Sequence, residues 1–587
     1  MPRPPLGRIL RRGIPRPDTM SAAVWVVLFW ALFAVVSHYF HAPIAPRVGQ
    51  PGRLEDMDRY APLVPQDLPL YNVTVATCAP HRGCALPRAI DDHAGPWIRV
   101  DRPLSGPTAR KLGMWNAFGQ PWYGRFVFYR RAHRLNSTRL VDVRAATAEK
   151  RPLGPGWERV REALVPHRAH HPAVYLYVRM ASASAPEVGV TELSVHYGHH
   201  TPLPGFVSAG TVVPAHRLHS QKAKVTLLMR HGLGPEVPHP TLRFRADGTF
   251  KILQIADLHF SVLEEPCRDV ADRNACQSHN HTMARIEQWL DAERPDMVAF
   301  TGDQWNGQGT SWDERSATPL WVEPLVRRKI PWIPVFGNHD SESGFFSRTE
   351  QMQFLAQLPY SLAQVGPSAL HGVGNYQVPV YAATNDTEAW TLWALDSGAN
   401  APSSLWRPWQ SALYDWIRED QIEWLVRGMR AKPVARRGSH ASRPPGMLFV
   451  HIPLPEAWDA PDRDGDHEYI VGSRQERVGR VGGQLRRGIF DAVQRAQDAE
   501  TPGIQVYVHG HMHNNGDCRR VRGTWICFGG GASYAAYGHL GLARRVRVYE
   551  IRDHGASLHT WQRTDDNART DVTVLRSATG SLRPPPS

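Results

Sequence analysis

The chain has 587 residues, of which 42% are hydrophobic and 21% charged. That balance excludes a wholly disordered or fibrous protein and leaves room for up to about four domains. The formal net charge of +13 comes from arginines dispersed along the chain, which reads as a basic solvated surface and not as a nucleic-acid stripe; no nucleic acid is expected as a partner.

In chain order, residues 1–20 carry five arginines against one aspartate and form a basic tail. Ser21–Phe40 then runs for twenty residues without Asp, Glu, Lys or Arg, enough helix to span the ~30 Å of a bilayer's hydrocarbon. The charge excess before it predicts a signal anchor with the tail in the cytosol. The protein is then a single-pass type II membrane protein, the rest lying in the secretory lumen, the vacuole or outside the cell. The alternative is a cleaved signal peptide ending near Ala42 or Ala45. Sequons at Asn72, Asn136, Asn280 and Asn385 all follow this segment and predict a glycoprotein.

Six cysteines fall as three close pairs, Cys78/Cys84, Cys267/Cys276 and Cys518/Cys527. Local disulfides are expected, with buried free thiols or unpaired surface cysteines as the alternative. The last pair is symmetric about Arg522-Gly523, so a two-residue hairpin turn there would set Cys518 opposite Cys527 with Cα atoms ~4.5 Å apart.

Residues 41–70 are Pro-rich and read as a linker. Residues 71–245 hold alternating runs such as Arg125–Arg130, Val174–Val178 and Leu193–Tyr197, and predict a β-rich accessory domain. From Phe250 strands and helices alternate: strands at Lys251–Ile255, Met297–Phe300, Trp332–Phe336, Thr391–Leu395, Met447–Val450, Gln505–Val508, Arg545–Ile551 and Ser557–Trp561, and helices at Thr282–Ala292, near Leu320–Arg328, at Gln351–Gln357, around Gln410–Met429 and at Arg486–Gln497. The pattern fits an α/β or α+β layered sheet domain over 246–565; residues 566–587 are expected to be a disordered tail. Trp406, Trp409, Trp416 and Trp424 recur at roughly helical spacing and read as core. Arg474, Glu476, Arg477 and Arg480 read as a solvated loop that could alternatively meet phosphate.

The strand ends carry metal-ligand residue types in order: Asp257-Leu258-His259, Gly302-Asp303, Gly337-Asn338-His339-Asp340, His451 and Gly510-His511-Met512-His513. Asp-x-His alone means little, but Gly-Asn-His-Asp is expected by composition only about 0.003 times in such a chain. Each block follows an apolar run, where open α/β sheets assemble their sites. His509 lacks a preceding Gly and reads as a strand-end residue.

These blocks resemble the calcineurin-like metallophosphoesterase pattern in full, over roughly residues 245–565. Phe250–His259, Gly302-Asp303-Gln304 and His451–Glu456 are similar to fungal phosphatases related to the yeast dosage-dependent cell-cycle regulator. The resemblance implies a four-layer α/β/β/α sandwich with two metals. One would be held by Asp257, His259, Asp303 and His513, the other by Asp303, Asn338, His451 and His511. Such ligands suit Fe, Mn or Zn. A pair of cations ~3.5–4 Å apart would make a bridging hydroxide near neutral pH for in-line attack on phosphorus. His339 would protonate the leaving group, and Asp340 could hold its ring. The activity implied is a phosphate monoesterase acting on a phosphoprotein or small phosphoester; a phosphodiesterase on lipid head groups or nucleotides is the second enzyme reading, and a non-catalytic interaction protein the third. Asn306 stands where purple acid phosphatases carry a Tyr ligand, which disfavours that branch. Met512 and Asn514 depart from the usual residues around the last histidine pair.

Overall fold

The computed structural model describes residues 68–577, apart from 80–82, 88–93, 101, 105–123, 135–136, 168–171, 200–202, 213–223, 234–236, 343–345, 400–413, 438–439, 477–487 and 499. The basic tail, the apolar segment 21–40, most of the linker, Asn136, Trp406, Trp409, Arg477 and Arg480 lie outside the described residues. Among the described residues no helix is long and apolar enough to cross a membrane.

The strands of the middle region owe their arrangement to a two-residue alternation that feeds two cores. In Met297–Thr301, Met297 and Ala299 face one core while Val298 and Phe300 face another. In Gly446–Val450, Met447 and Phe449 face the first core and Leu448 a third. Strands buried on both faces read as continuous apolar runs and belong to sheets covered on both sides. They build a six-stranded sheet, whose order is 332–335, 297–301, 250–255, 545–552, 557–564, 569–576, and an eight-stranded sheet. The first three strands of the former pair in parallel, as do Glu388–Ala394, Gly446–Val450, Ile504–His509 and Thr524–Phe528 in the latter. The two sheets share the core of Ile252, Met297, Val378, Phe449 and Val508. Helices Ser278–Glu293 and Glu314–Arg328 cover one outer face through Trp289 and Trp321. Helices Glu419–Ala431 and Ile489–Ala496 cover the other through Leu425 and Val493. The result is four layers, α/β/β/α.

Three expectations need correction. Residues beyond 565 do not all form a tail, because Arg569–Arg576 closes the edge of the six-stranded sheet, pairing with Ser557–Thr564. Of the helix expected around Gln410–Met429, residues 410–413 lie outside the described residues, and the described part is helical from Glu419, with Trp416 outside it; Trp424 packs against Trp393 at 5.6 Å. The helix expected near Leu320 starts earlier, at Glu314, where the Asp313 side chain accepts the Ser316 N–H; Pro319 sits inside it and masked the pattern.

The N-terminal region is β-rich. Its sheets of four, three and three strands enclose one apolar core that includes Val75, Val127, Val143, Leu176, Val195 and Leu227. It is tied to the layered part by a buried ion pair, Arg102 Nη1 to Asp313 Oδ2 at 2.9 Å, and by the Tyr197 N–H donating to Ser316 Oγ at 2.9 Å. All three disulfides pair locally. Arg522 and Gly523 have φ of 48° and 84°, and Cys518 pairs with Cys527 across the hairpin. Positive φ at both central residues is the turn that matches strand twist. Asn72, Asn280 and Asn385 are exposed.

Candidate metal centre

The strand-end blocks meet because their loops are stitched together by backbone hydrogen bonds. The Asp257 N–H donates to Gly302 O at 3.1 Å and the His259 N–H to Asp303 O at 2.9 Å. Asp257, His259, Asp303 and His511 all adopt positive φ, at 58°, 48°, 52° and 71°. Non-glycine residues seldom tolerate that conformation, and such strain gathers at functional sites. The motif glycines are there for space: a Cβ on Gly337 would overlap the Asp303 side chain and backbone nitrogen, and one on Gly302 would overlap the His451 ring.

Three histidines are oriented by acceptors behind them. His451 Nδ1 donates to Thr301 O at 2.8 Å, His259 Nδ1 to Asn306 Oδ1 at 3.2 Å and His513 Nδ1 to Tyr537 O at 2.8 Å. Each then turns Nε2 inward, the tautomer a metal ligand needs. His451 Nε2 is 3.1 Å from Asn338 Oδ1 and 3.2 Å from Asp303 Oδ2. His259 Nε2 is 3.2 Å from His513 Nε2 and 3.6 Å from Asp303 Oδ2, and His513 Nε2 is 3.5 Å from Asp257 Oδ1. Asp257 Oδ2 is buried without a hydrogen-bond partner. Lone pairs so crowded repel one another unless cations lie among them, so the donors present fit metal ions.

The ligand atoms of Asp257, His259 and His513 lie within 4.8 Å of one another, as do those of Asp303, His451 and His511. The Asp303 carboxylate reaches both groups, through His259 and His451. Burial lowers the pKa of His259 to about 3 and holds His511 well below 6.5, so both are neutral. Burial opposes the charged form of His451 too, but Asp303 and Asp257 raise it to about 9. His509 is buried at its strand end, with Nδ1 3.3 Å from Val450 O, and faces that strand and not the cluster.

His339 sits beside this cluster, its ring 5.1 Å from that of His259 and its N–H donating to Asp303 Oδ1 at 2.8 Å. The expected role of Asp340 is overturned. Its carboxylate does not hold the His339 ring; it accepts the backbone N–H groups of Asp303, Trp305 and Gly337 at 2.7–3.0 Å and so joins two ligand loops. Glu342 faces the ring instead, with Oε2 2.9 Å from His339 Nδ1, an ion-pair contact whose N–H is not aligned for a hydrogen bond. Sequence reasoning missed Glu342, although its three-residue spacing from His339 on a helical turn was a signal. It also missed the role of Asn306 behind His259. Arg474 does not reach for phosphate: it pairs with Asp517 at 2.7 Å. Glu476 and Tyr537 line the rim, the Tyr537 ring stacked on His513 at 3.8 Å.

The family model described as calcineurin-like phosphoesterase matches residues 250–515. "Probable inactive purple acid phosphatase 28" of Arabidopsis thaliana is 33% identical over 403 residues, which cover 63% of this chain and 92% of that protein. "Probable inactive purple acid phosphatase 29" of the same plant is 35% identical, covering 55% and 85%. "Phosphatase DCR2" of Saccharomyces cerevisiae is 34% identical, covering 55% of each. Likeness to two proteins of the purple acid phosphatase name means that Asn306 does not set the chain apart from every bearer of that name. With the ordered blocks, the four layers and these relatives in agreement, the chain belongs to the calcineurin-like metallophosphoesterases and is related to fungal phosphatases.

Proposed function

We propose that the chain is a dinuclear-metal phosphoester hydrolase, acting on phosphate monoesters and among them phosphoproteins. The observation that carries this reading is the convergence of inward-facing Nε2, Oδ1 and Oδ2 atoms around Asp303. Asp257, His259, Asp303 and His513 would hold one metal, and Asp303, Asn338, His451 and His511 the other. The bound pair supplies an acidified water and positive charge for the phosphoryl oxygens. The residues of the chain do the remainder. His339 carries a proton close to where a leaving oxygen would depart: burial disfavours its charged form, but Glu342 and Asp303 raise its pKa above 6.5. Glu342 lends its negative charge to the imidazole at ion-pair distance, and the three Nδ1 acceptors keep the ligand rings from turning.

The apolar run 21–40, the sequons and the three disulfides support a membrane-anchored protein whose folded part lies in an oxidising compartment. The test is metal analysis and assay of the purified chain with p-nitrophenyl phosphate and bis-p-nitrophenyl phosphate, beside Asp303→Ala. Monoester turnover that disappears with the metals in the variant is expected. Undiminished turnover in a folded Asp303→Ala sample would overturn the proposal, and equal rates on the diester would move it to phosphodiesterase.

A further inference from the structure

The turn that carries His339 is held from two directions. On one side the Asp340 carboxylate ties it to the Asp303 loop. On the other, the Arg348 guanidinium is clasped across it. Nη2 donates to Gly337 O at 2.5 Å, just before the turn His339–Ser341, and Nε donates to Ser341 Oγ at 3.0 Å, at the end of that turn. The third arm, Nη1, donates to Asp396 Oδ1 at 2.6 Å.

Neither end of the clasp is loose. Arg348 is the first residue of helix Arg348–Ala356, whose start is fixed by a capping box between Ser347 and Glu350. Its guanidinium lies over the Phe336 ring at 5.2 Å. Asp396 is buried, and its carboxylate also accepts the N–H groups of Val373 and Gly398 at 2.8 and 2.9 Å. A planar guanidinium points its donors along fixed directions, so the place of one acceptor sets the place of the others.

The clasp also joins the two sheets. Gly337 follows strand Trp332–Val335 of the six-stranded sheet, whereas Asp396 follows strand Glu388–Ala394 of the eight-stranded one. His451 and His511 come from the eight-stranded sheet as well, after strands Gly446–Val450 and Ile504–His509. A phosphoryl group bound between ligand sets drawn from both sheets meets His339 only if the turn keeps its place relative to the second sheet. Asp340 does not supply that constraint, because the N–H groups it accepts, of Asp303, Trp305 and Gly337, all lie in loops of the first sheet.

We propose, resting on the hydrolase reading and on His339 as its acid, that Arg348 is a positioning residue for proton delivery. By joining Gly337, Ser341 and Asp396 it sets the reach of His339 toward the leaving oxygen.

The test compares two esters on the metal-loaded full chain. Phenyl phosphate has a leaving oxygen that needs a proton, while 2,4-dinitrophenyl phosphate loses a stable anion and needs none. Arg348→Lys keeps the charge and removes the planar fork. In it kcat on phenyl phosphate should fall about tenfold or more, with kcat on the dinitrophenyl ester within about twofold of the parent and with KM and bound metal unchanged. Ser341→Ala removes one acceptor and leaves the Asp396 pair in place; it should shift the ratio of the two rates in the same direction by about threefold. Equal losses on both esters in Arg348→Lys, or no loss on either, overturn the proposal and leave the hydrolase reading standing. Absence of turnover of both esters by the parent overturns that reading and this proposal with it.

Discussion

Oε2 of Glu342 stands 2.9 Å from His339 Nδ1 and also accepts the backbone N–H of Gln308 at 2.9 Å. One carboxylate therefore joins the ring expected to deliver a proton to the loop that follows Asp303. Glu342→Gln keeps the shape and removes the charge. Carboxylates behind a catalytic or ligating imidazole are typically worth about 10–100-fold, so kcat should fall by that factor while metal content and KM stay near those of the parent. Glu342→Asp should recover part of the loss. An unchanged kcat in Glu342→Gln would show that the ring needs no such support.

Gly337 offers a sharper steric case. Any Cβ there collides with Asp303, the carboxylate shared by both metal groups. In Gly337→Ala the Asp303 loop must move, and displacements of about 1 Å at such centres cost on the order of 100-fold in rate. Bound metal should drop below that of the parent in a sample whose circular dichroism is unaltered. Full metal content together with full activity would contradict the packing described.

Proton and metal compete at His451. Without a cation, Asp303 and Asp257 draw a proton onto this ring and raise its pKa to about 9, against the pull of burial. A ligand must be deprotonated, so metal uptake below pH about 9 releases a proton. Apparent affinity should climb as pH rises toward 9 and level off above it. Calorimetric titration in two buffers of different ionisation enthalpy measures that release; uptake with no proton change at pH 7 would refute it.

The Arg102–Asp313 pair predicts how firmly the β-rich region is attached. Removing one partner of a buried pair costs about 3–5 kcal/mol, because the other charge stays buried alone. Arg102→Met should lose that much stability in urea titration. Adding Asp313→Asn, which removes the stranded charge and can still cap helix Glu314–Arg328, should restore most of it. Equal stability of the parent and Arg102→Met would mean that the seam is solvated.

Much of the architecture was legible because it rests on local pattern. The apolar runs at 251–255, 297–300 and 447–450 are strands, and the Cys518–Cys527 hairpin turns at Arg522-Gly523, since alternation and turn chemistry are properties of neighbouring residues. The strand-end blocks were legible for a related reason: ligand residue types must follow strands if a sheet is to gather them. Partners held by nonlocal geometry were not. Nothing in the order of residues says that Asn306 stands behind His259, that Asp340 collects three backbone N–H groups, or that Arg102 is neutralised by a residue 211 positions away. Residues 569–576 read as a tail because an edge strand with one exposed face lacks the apolar run of an inner one. Chain order by itself therefore picked out the candidate ligand residues, and the packing of two sheets against each other decided which atoms of those residues face inward.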